Sequence, residues 1–304
     1  LLVAPYYKMA GGGVLAPDLG QRRIGSLTPS QGIQPIRERS TEADIYRITL
    51  DPGANVTFIA ELKSSNLPEI RLWKPEAYKD NINAYTLYRG IVLGIAGLLA
   101  LFLTILFVVK GTVLFPATAA LAWAVLVYLC IDFGFWNLVF GRTLGDDQLY
   151  RAMAEISLTA ALVVFLYAYL GLNRWHIHYT HLAIGLLVTV LSLFGLALWD
   201  PTIAAGISRV LMAGVALSGF GIIVMLTIRR FERAIMLLPT WFLFLAWLFA
   251  AWMATSGILQ SDLVQPALAG GLVLFVLLLG FTVMQHAFAG SGLSHSIVGD
   301  VERR

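Results

Sequence analysis

The stretch RGIVLGIAGLLALFLTILFVV, Arg89–Val109, decides the fold. Its only charge is the arginine at its start, and a helix needs about twenty mostly apolar residues to cross the hydrocarbon core of a bilayer. Six more blocks of this kind follow: Val113–Phe135, Leu149–Leu170, Leu182–Trp199, Ile203–Ile228, Ile235–Ser256 and Pro266–Phe288. The fourth is the shortest. Polar breaks separate them: Lys110 to Thr112, Gly141 to Asp147, Asn173-Arg174, Asp200-Pro201, Arg229 to Arg233, and Gly257 to Asp262. The composition agrees, with 58% of the 304 residues hydrophobic, 13% charged and a mean hydropathy of +0.77. Soluble domains carry about a quarter charged residues. A soluble fold would have to hide this apolar surface, whereas a bilayer accepts it. The expected fold is a membrane all-α bundle of seven helices.

Upstream of this region the sequence is mixed and rich in Pro, Gly and charge. Asp44 to Leu50 alternates like a strand, Asp51-Pro52-Gly53 supplies a turn, and Val56 to Leu62 continues as a second strand. Glu69 to Trp73 makes a third, with weaker strands at Val3–Lys8 and Arg23–Thr28. These patterns predict a small β-sandwich, cut short at its N-terminal side. The expected organisation is a β-rich domain at 1–84, a seven-helix bundle at 85–289 and a linker helix at 290–304. Leu1 is not an initiator Met and the tail reads as a helix still running, so a longer protein is expected around this segment.

Basic loops stay on the cytoplasmic side of a membrane. With the N-terminus outside, the inner loops carry Lys110, Arg174, Arg229, Arg230 and Arg233, followed by Arg303 and Arg304. The outer loops carry Arg142, with Arg151 just inside the third block, among acidic Asp146, Asp147, Asp200 and Asp262. The asymmetry predicts N-outside and C-inside. Trp136, Trp199 and Trp252 then fall near outer helix ends, where an interfacial aromatic belt belongs.

Three ionisable residues lie within the spans: Asp132 in the second, Glu155 in the third and Arg209 in the fifth. Each costs about 2.5–3.5 kcal/mol at a helix centre on insertion scales, so none is expected to face lipid alone. They are expected in one polar site in the outer half of the bundle. That site would be either a ligand-binding floor or relay, or an interhelical salt bridge that fixes packing. Trp175 to His181 holds three of the five histidines and reads as an interfacial loop. Gly90, Gly94 and Gly97 form a small-residue stripe that favours close packing within the bundle over dimerisation, with Ala269-Gly270-Gly271 a lesser case. The basic Arg229–Arg233 loop serves either as a topology signal or as a contact for anionic lipid. Leu293, Ile297 and Val301 recur every fourth residue, placing them on one face of a helix beyond Gly290-Ser291-Gly292. That face predicts a coupling helix whose simplest partner is a second copy of the chain.

Leu67-Pro68-Glu69-Ile70-Arg71-Leu72-Trp73-Lys74-Pro75-Glu76-Ala77-Tyr78, running into Tyr88-Arg89-Gly90-Ile91-Val92-Leu93-Gly94 and seven spans, resembles the bacterial seven-transmembrane receptors with diverse intracellular signalling modules. The resemblance implies a jelly-roll-like periplasmic sensor domain for a small ligand, seven spans in the inner membrane, and a cytoplasmic output module. The tail from Gly292 to Arg304 is similar to the stretch leading into GGDEF and EAL modules of cyclic-di-GMP turnover in alphaproteobacterial members. It carries no catalytic residue over to this segment. No phosphate-binding loop, dinucleotide fingerprint, nucleophile elbow or zinc helix is present in the sequence. The expectation is a receptor module with no cofactor, metal or nucleic-acid partner. Its partners are the bilayer, a small periplasmic ligand and a second subunit. A small-solute transporter or channel would favour interrupted helices and midplane charges. A structural subunit of a membrane assembly is the other alternative.

Overall fold

The computed structural model describes strands at 2–5, 11–15, 23–24, 37–39, 43–46, 59–63 and 71–72. From 74 onward it describes all but 111–113, 137–143, 176, 257, 260–262 and 302–304. Side chains are described within 74–285, apart from those gaps and residues 75, 81, 110, 144–147 and 265. Seven long helices follow the strands: α1 (Pro75–Lys110), α2 (Leu114–Asp132), α3 (Leu144–Leu170), α4 (Ile177–Trp199), α5 (Pro201–Ile228), α6 (Glu232–Thr255) and α7 (Val264–Val301). All seven contain a stretch long and apolar enough to cross a membrane.

Contacts divide the chain into two units, Leu1–Leu87 with Trp136–Gly141, and Tyr88–Phe135 with Arg142–Arg304. In the first, the strands are β1 (Leu2–Pro5), β2 (Gly11–Leu15), β3 (Arg23–Ile24), β4 (Arg37–Arg39), β5 (Ala43–Tyr46), β6 (Ile59–Lys63) and β7 (Arg71–Leu72). They pair antiparallel in the orders β4-β5-β1-β7 and β3-β2-β6. Val3 lies opposite Ile45, and Val14 opposite Ala60. The strands flanking Asp51-Pro52-Gly53, β5 and β6, are in different sheets, so they do not form a hairpin. Residues 51–53 themselves lie outside the described residues.

Helix ends follow local chemistry. Pro75 and Glu76 open α1, well ahead of the apolar run at Arg89, because Pro suits the first helical position and an acid suits the first turn. Asp200 caps α5: its Oδ1 accepts from Thr202 N at 2.9 Å, Ile203 N at 3.1 Å and the Thr202 hydroxyl at 2.6 Å. Those donors, the Thr202 hydroxyl first, hold its carboxyl below the usual carboxylate range. A depressed folded-state pKa stabilises above the unfolded value and is lost as pH falls through the folded one. Asp200→Ala is therefore expected to lower the melting temperature at pH 7, and by less at pH 3. Asp200→Asn should retain most of the cap. Thermal melts of the purified protein at both pH values check this.

Within the helical unit α3 is the most buried helix, packed against α2, α4 and α5. Phe165 and Tyr169 stack in its buried face. Between α5, α6 and α7, fully buried Trp241 meets Phe244 and Phe275, and its Nε1 donates to Ala216 O at 2.9 Å. Gly219 lets that indole approach: an added Cβ there would sit 3.0 Å from Trp241 Cζ2 and 2.8 Å from Leu166 Cδ1.

Two sequence expectations are corrected. The stripe Gly90, Gly94, Gly97 does not pack inside the bundle: among the described residues, nothing beyond the adjoining residues and the helix's own backbone lies within 4 Å of a Cβ built on any of them. α1 buries instead Val92, Ala96, Ala100 and Leu103. The close approaches are at Gly270, against the Tyr88 hydroxyl, and Gly271, against Trp247. There the Tyr88 hydroxyl donates to Pro266 O, and Trp247 Nε1 donates to Leu268 O at 2.7 Å. Lipid is as apolar as a core, so glycine spacing alone does not say which face meets a neighbour.

The second concerns the histidines. α4 begins at Ile177 rather than Leu182, so His178 and His181 stand on a helix, and His181 Nδ1 lies 2.9 Å from Ile177 O, one turn back. The chain turns earlier, in the 3-10 segment Leu172–Arg174 behind left-handed Gly171. Ile177 and four polar or aromatic residues, His178 to His181, thus extend the helix ahead of the apolar block. His176 lies outside the described residues.

Candidate functional site

The charged residues of the spans converge where α2 ends and α3 and α5 begin. Glu155 is 5% exposed on the most buried helix, which makes an unpaired carboxylate there very costly. Arg209, in the third turn of α5, meets it in a bidentate pair, Nε to Oε2 and Nη2 to Oε1, both at 2.8 Å. The planar guanidinium fork matches both carboxylate oxygens, the strongest arrangement two such groups make.

Asp132 closes α2 and does not reach Arg209 directly. Arg151 stands between: its Nη2 is 3.1 Å from Asp132 Oδ1, and its Nε 3.6 Å from Glu155 Oε1, one turn along α3. The second contact is an ion pair without hydrogen-bond geometry, and Arg151 Nε is buried without a hydrogen-bond partner. The set of Asp132, Arg151, Glu155 and Arg209 is thus neutral, spans three helices, and joins Asp132 to Arg209 through two intermediates. Arg151 and Arg209 remain partly exposed, Glu155 does not.

A hydroxyl pair extends the polar seam inward. Thr159, one turn beyond Glu155, and Ser208, beside Arg209, are fully buried and share a hydrogen bond at 3.1 Å. Thr159 Oγ1 also donates back to Glu155 O at 2.9 Å. α3 therefore presents Arg151, Glu155 and Thr159 at intervals of four along one face, with α2 and α5 on either side.

The sequence singles out Asp132, Glu155 and Arg209, whereas Arg151, just inside the third block, reads with the charges of the outer side. Two signals pointed to it: the i, i+4 spacing to Glu155, and the net charge of −1 that the other three leave behind. Leu293, Ile297 and Val301 fall in the last part of α7, whose backbone is one helix through Gly290-Ser291-Gly292 to Val301. Their side chains lie outside the described residues. With 38 residues at about 1.5 Å rise, α7 is about 57 Å long against a hydrocarbon core of about 30 Å.

The arrangement can redistribute contacts without moving net charge. Arg151 has two carboxylates within reach, one on its own helix and one on α2. A shift of its guanidinium from Asp132 to Glu155 would break the ion pair between α2 and α3 and leave the total charge of the set unchanged.

Residues 85–286 match the family model described as 7TM diverse intracellular signalling. None of the curated proteins compared matches the chain.

Proposed function

Because this chain belongs to the 7TM diverse intracellular signalling family, we propose that it senses a small ligand on the periplasmic side and relays that event through its ionic network to a cytoplasmic output. It is a transmembrane receptor for intracellular signalling. The observation that carries the finer reading is the neutral set Asp132–Arg151–Glu155–Arg209, which ties α2, α3 and α5 at one end of the bundle. In this reading, ligand binding at the N-terminal β-rich domain changes the separation of α2 and α3. Arg151 then exchanges carboxylates, and α7, continuous to Val301, carries the change out of the membrane. Leu293, Ile297 and Val301 form the coupling face that meets a second subunit. The output is cyclic-di-GMP turnover by GGDEF or EAL modules, and the inner membrane holds the bundle with its N-terminus outside.

Two experiments test this. Arg151→Lys keeps the charge but loses the fork, and is expected to leave the bundle folded while altering the cellular cyclic-di-GMP response to the receptor. An unaltered pool in the variant and in a strain lacking the protein would remove both the relay and the output. For orientation, a Cys placed at Ser65 should label in intact cells. Labelling only after the inner membrane is permeabilised reverses the topology.

A further inference from the structure

At the other end of α3 the chain gathers positive charge. Arg174 ends the 3-10 turn, and Arg229, Arg230 and Arg233 surround the break between α5 and α6. A cavity of about 310 Å³ lies among them, lined by Leu170, Gly171, Arg174, Trp175, Phe231 and Arg233. This is near the lower end of the range for small-ligand sites, about 300–1,000 Å³. Its apolar wall is fixed: Trp175 and Phe231 meet edge to face at 5.5 Å, and Arg229 sits 5.9 Å over the Trp175 ring. Arg230 holds a left-handed backbone, φ 57°, a conformation that non-glycine residues seldom adopt, at the turn that presents Phe231 and Arg233.

No carboxylate among the described residues pairs with any of these four arginines; the ion pairs there are those of the network already described. Glu232, the only acid in the two turns, makes none. Arg233 Nη1 donates one long hydrogen bond, 3.4 Å, to Tyr169 O, and the Arg174 side chain makes no hydrogen bond among the described residues. Among the described residues no carboxylate neutralises these guanidiniums, and two of them, Arg174 and Arg233, line the cavity. The α3 and α6 spans stop here, at Leu170 and Glu232, so the cavity lies at the level where headgroups meet water.

We propose that this cavity binds a phosphate group, with Arg174 and Arg233 as its ligands and Trp175 and Phe231 against the ester substituent. Guanidinium forks suit phosphate oxygens, and the aromatic wall suits the carbon skeleton attached to them. The group comes either from an anionic phospholipid or from a soluble phosphate ester. The site is independent of the ionic network at the opposite end of α3.

Purified protein in nanodiscs of phosphatidylcholine, with and without phosphatidylglycerol, and in detergent with glycerol 3-phosphate or inorganic phosphate, distinguishes the sources by thermal melting. Stabilisation by phosphatidylglycerol that the soluble esters do not reproduce assigns a lipid headgroup. Stabilisation in detergent by glycerol 3-phosphate or phosphate assigns a soluble ligand. In either case Arg174→Gln should weaken the apparent affinity about tenfold, as loss of one charge-assisted contact does. Arg230→Gln, outside the cavity lining and with no contact to its aromatic wall, should weaken it far less. Arg233→Gln also removes the bond to Tyr169 O, so Arg174→Gln, which has no such bond to lose, carries the test if the former fails to fold. No stabilisation by phosphatidylglycerol, glycerol 3-phosphate or inorganic phosphate overturns the proposal. So does a shift undiminished in Arg174→Gln.

Discussion

Replacing Glu155 alone by leucine is expected to destabilise the bundle by about 3–5 kcal/mol, the usual cost of breaking a buried ion pair from one side. The bidentate contact with Arg209 disappears, and Arg209 is left with no carboxylate beside it. Arg151 keeps Asp132 at 3.1 Å, so one pair survives. Replacing Glu155 and Arg209 together by leucine removes both charges, restores neutrality, and should cost much less than the single change. The sum of the two single effects should therefore exceed the double, since the residues act as a unit. Unfolding free energies of the three variants in mixed micelles measure this. A double variant as unstable as the Glu155→Leu protein would mean that shape, not charge, decides the site.

Gly219→Val is expected to cost about 1–3 kcal/mol, as added methyls do in a filled core. Its Cβ would lie 2.8 Å from Leu166 Cδ1 and 3.0 Å from Trp241 Cζ2. The leucine tip can rotate away. The indole cannot, because its Nε1 is bonded to Ala216 O and its ring packs against the stacked pair Phe244 and Phe275. Gly94→Val, on the open face of α1, should change stability by no more than about 0.5 kcal/mol. Melting both variants side by side gives the contrast. Equal losses would mean that the α1 glycines pack against protein after all.

The spans were legible because an apolar run of about twenty residues suits little besides a bilayer, and their ends matched charge where charge was sharp. Trp199 before Asp200, and Ile228 before Arg229, are boundaries in both sequence and structure. The start of α4 was not legible, since His178, Tyr179 and His181 suit a loop and an interfacial helix turn equally. The inward faces were hidden for a different reason. In a chain whose surroundings are apolar, no polar–apolar contrast marks the buried side, so Gly219 and Gly271 looked no more important than Gly94. The ionic residues escaped that blindness because each is costly in lipid. Arg151 was overlooked because a cation beside a loop reads first as a topology signal.

The location of Glu155 also orders the birth of the protein. α3 carries the least apolar of the seven spans, with a peak hydropathy of 1.8, and its carboxylate partner Arg209 is 54 positions further along the chain. When α3 leaves the ribosome, Arg151 can neutralise Asp132, but Glu155 has no second cation. At roughly 5–20 residues per second, α5 brings Arg209 about 3–11 s later. A third segment released into lipid during that interval would carry an unpaired carboxylate, at a cost of about 2.5–3.5 kcal/mol near the helix centre, until the fifth arrived.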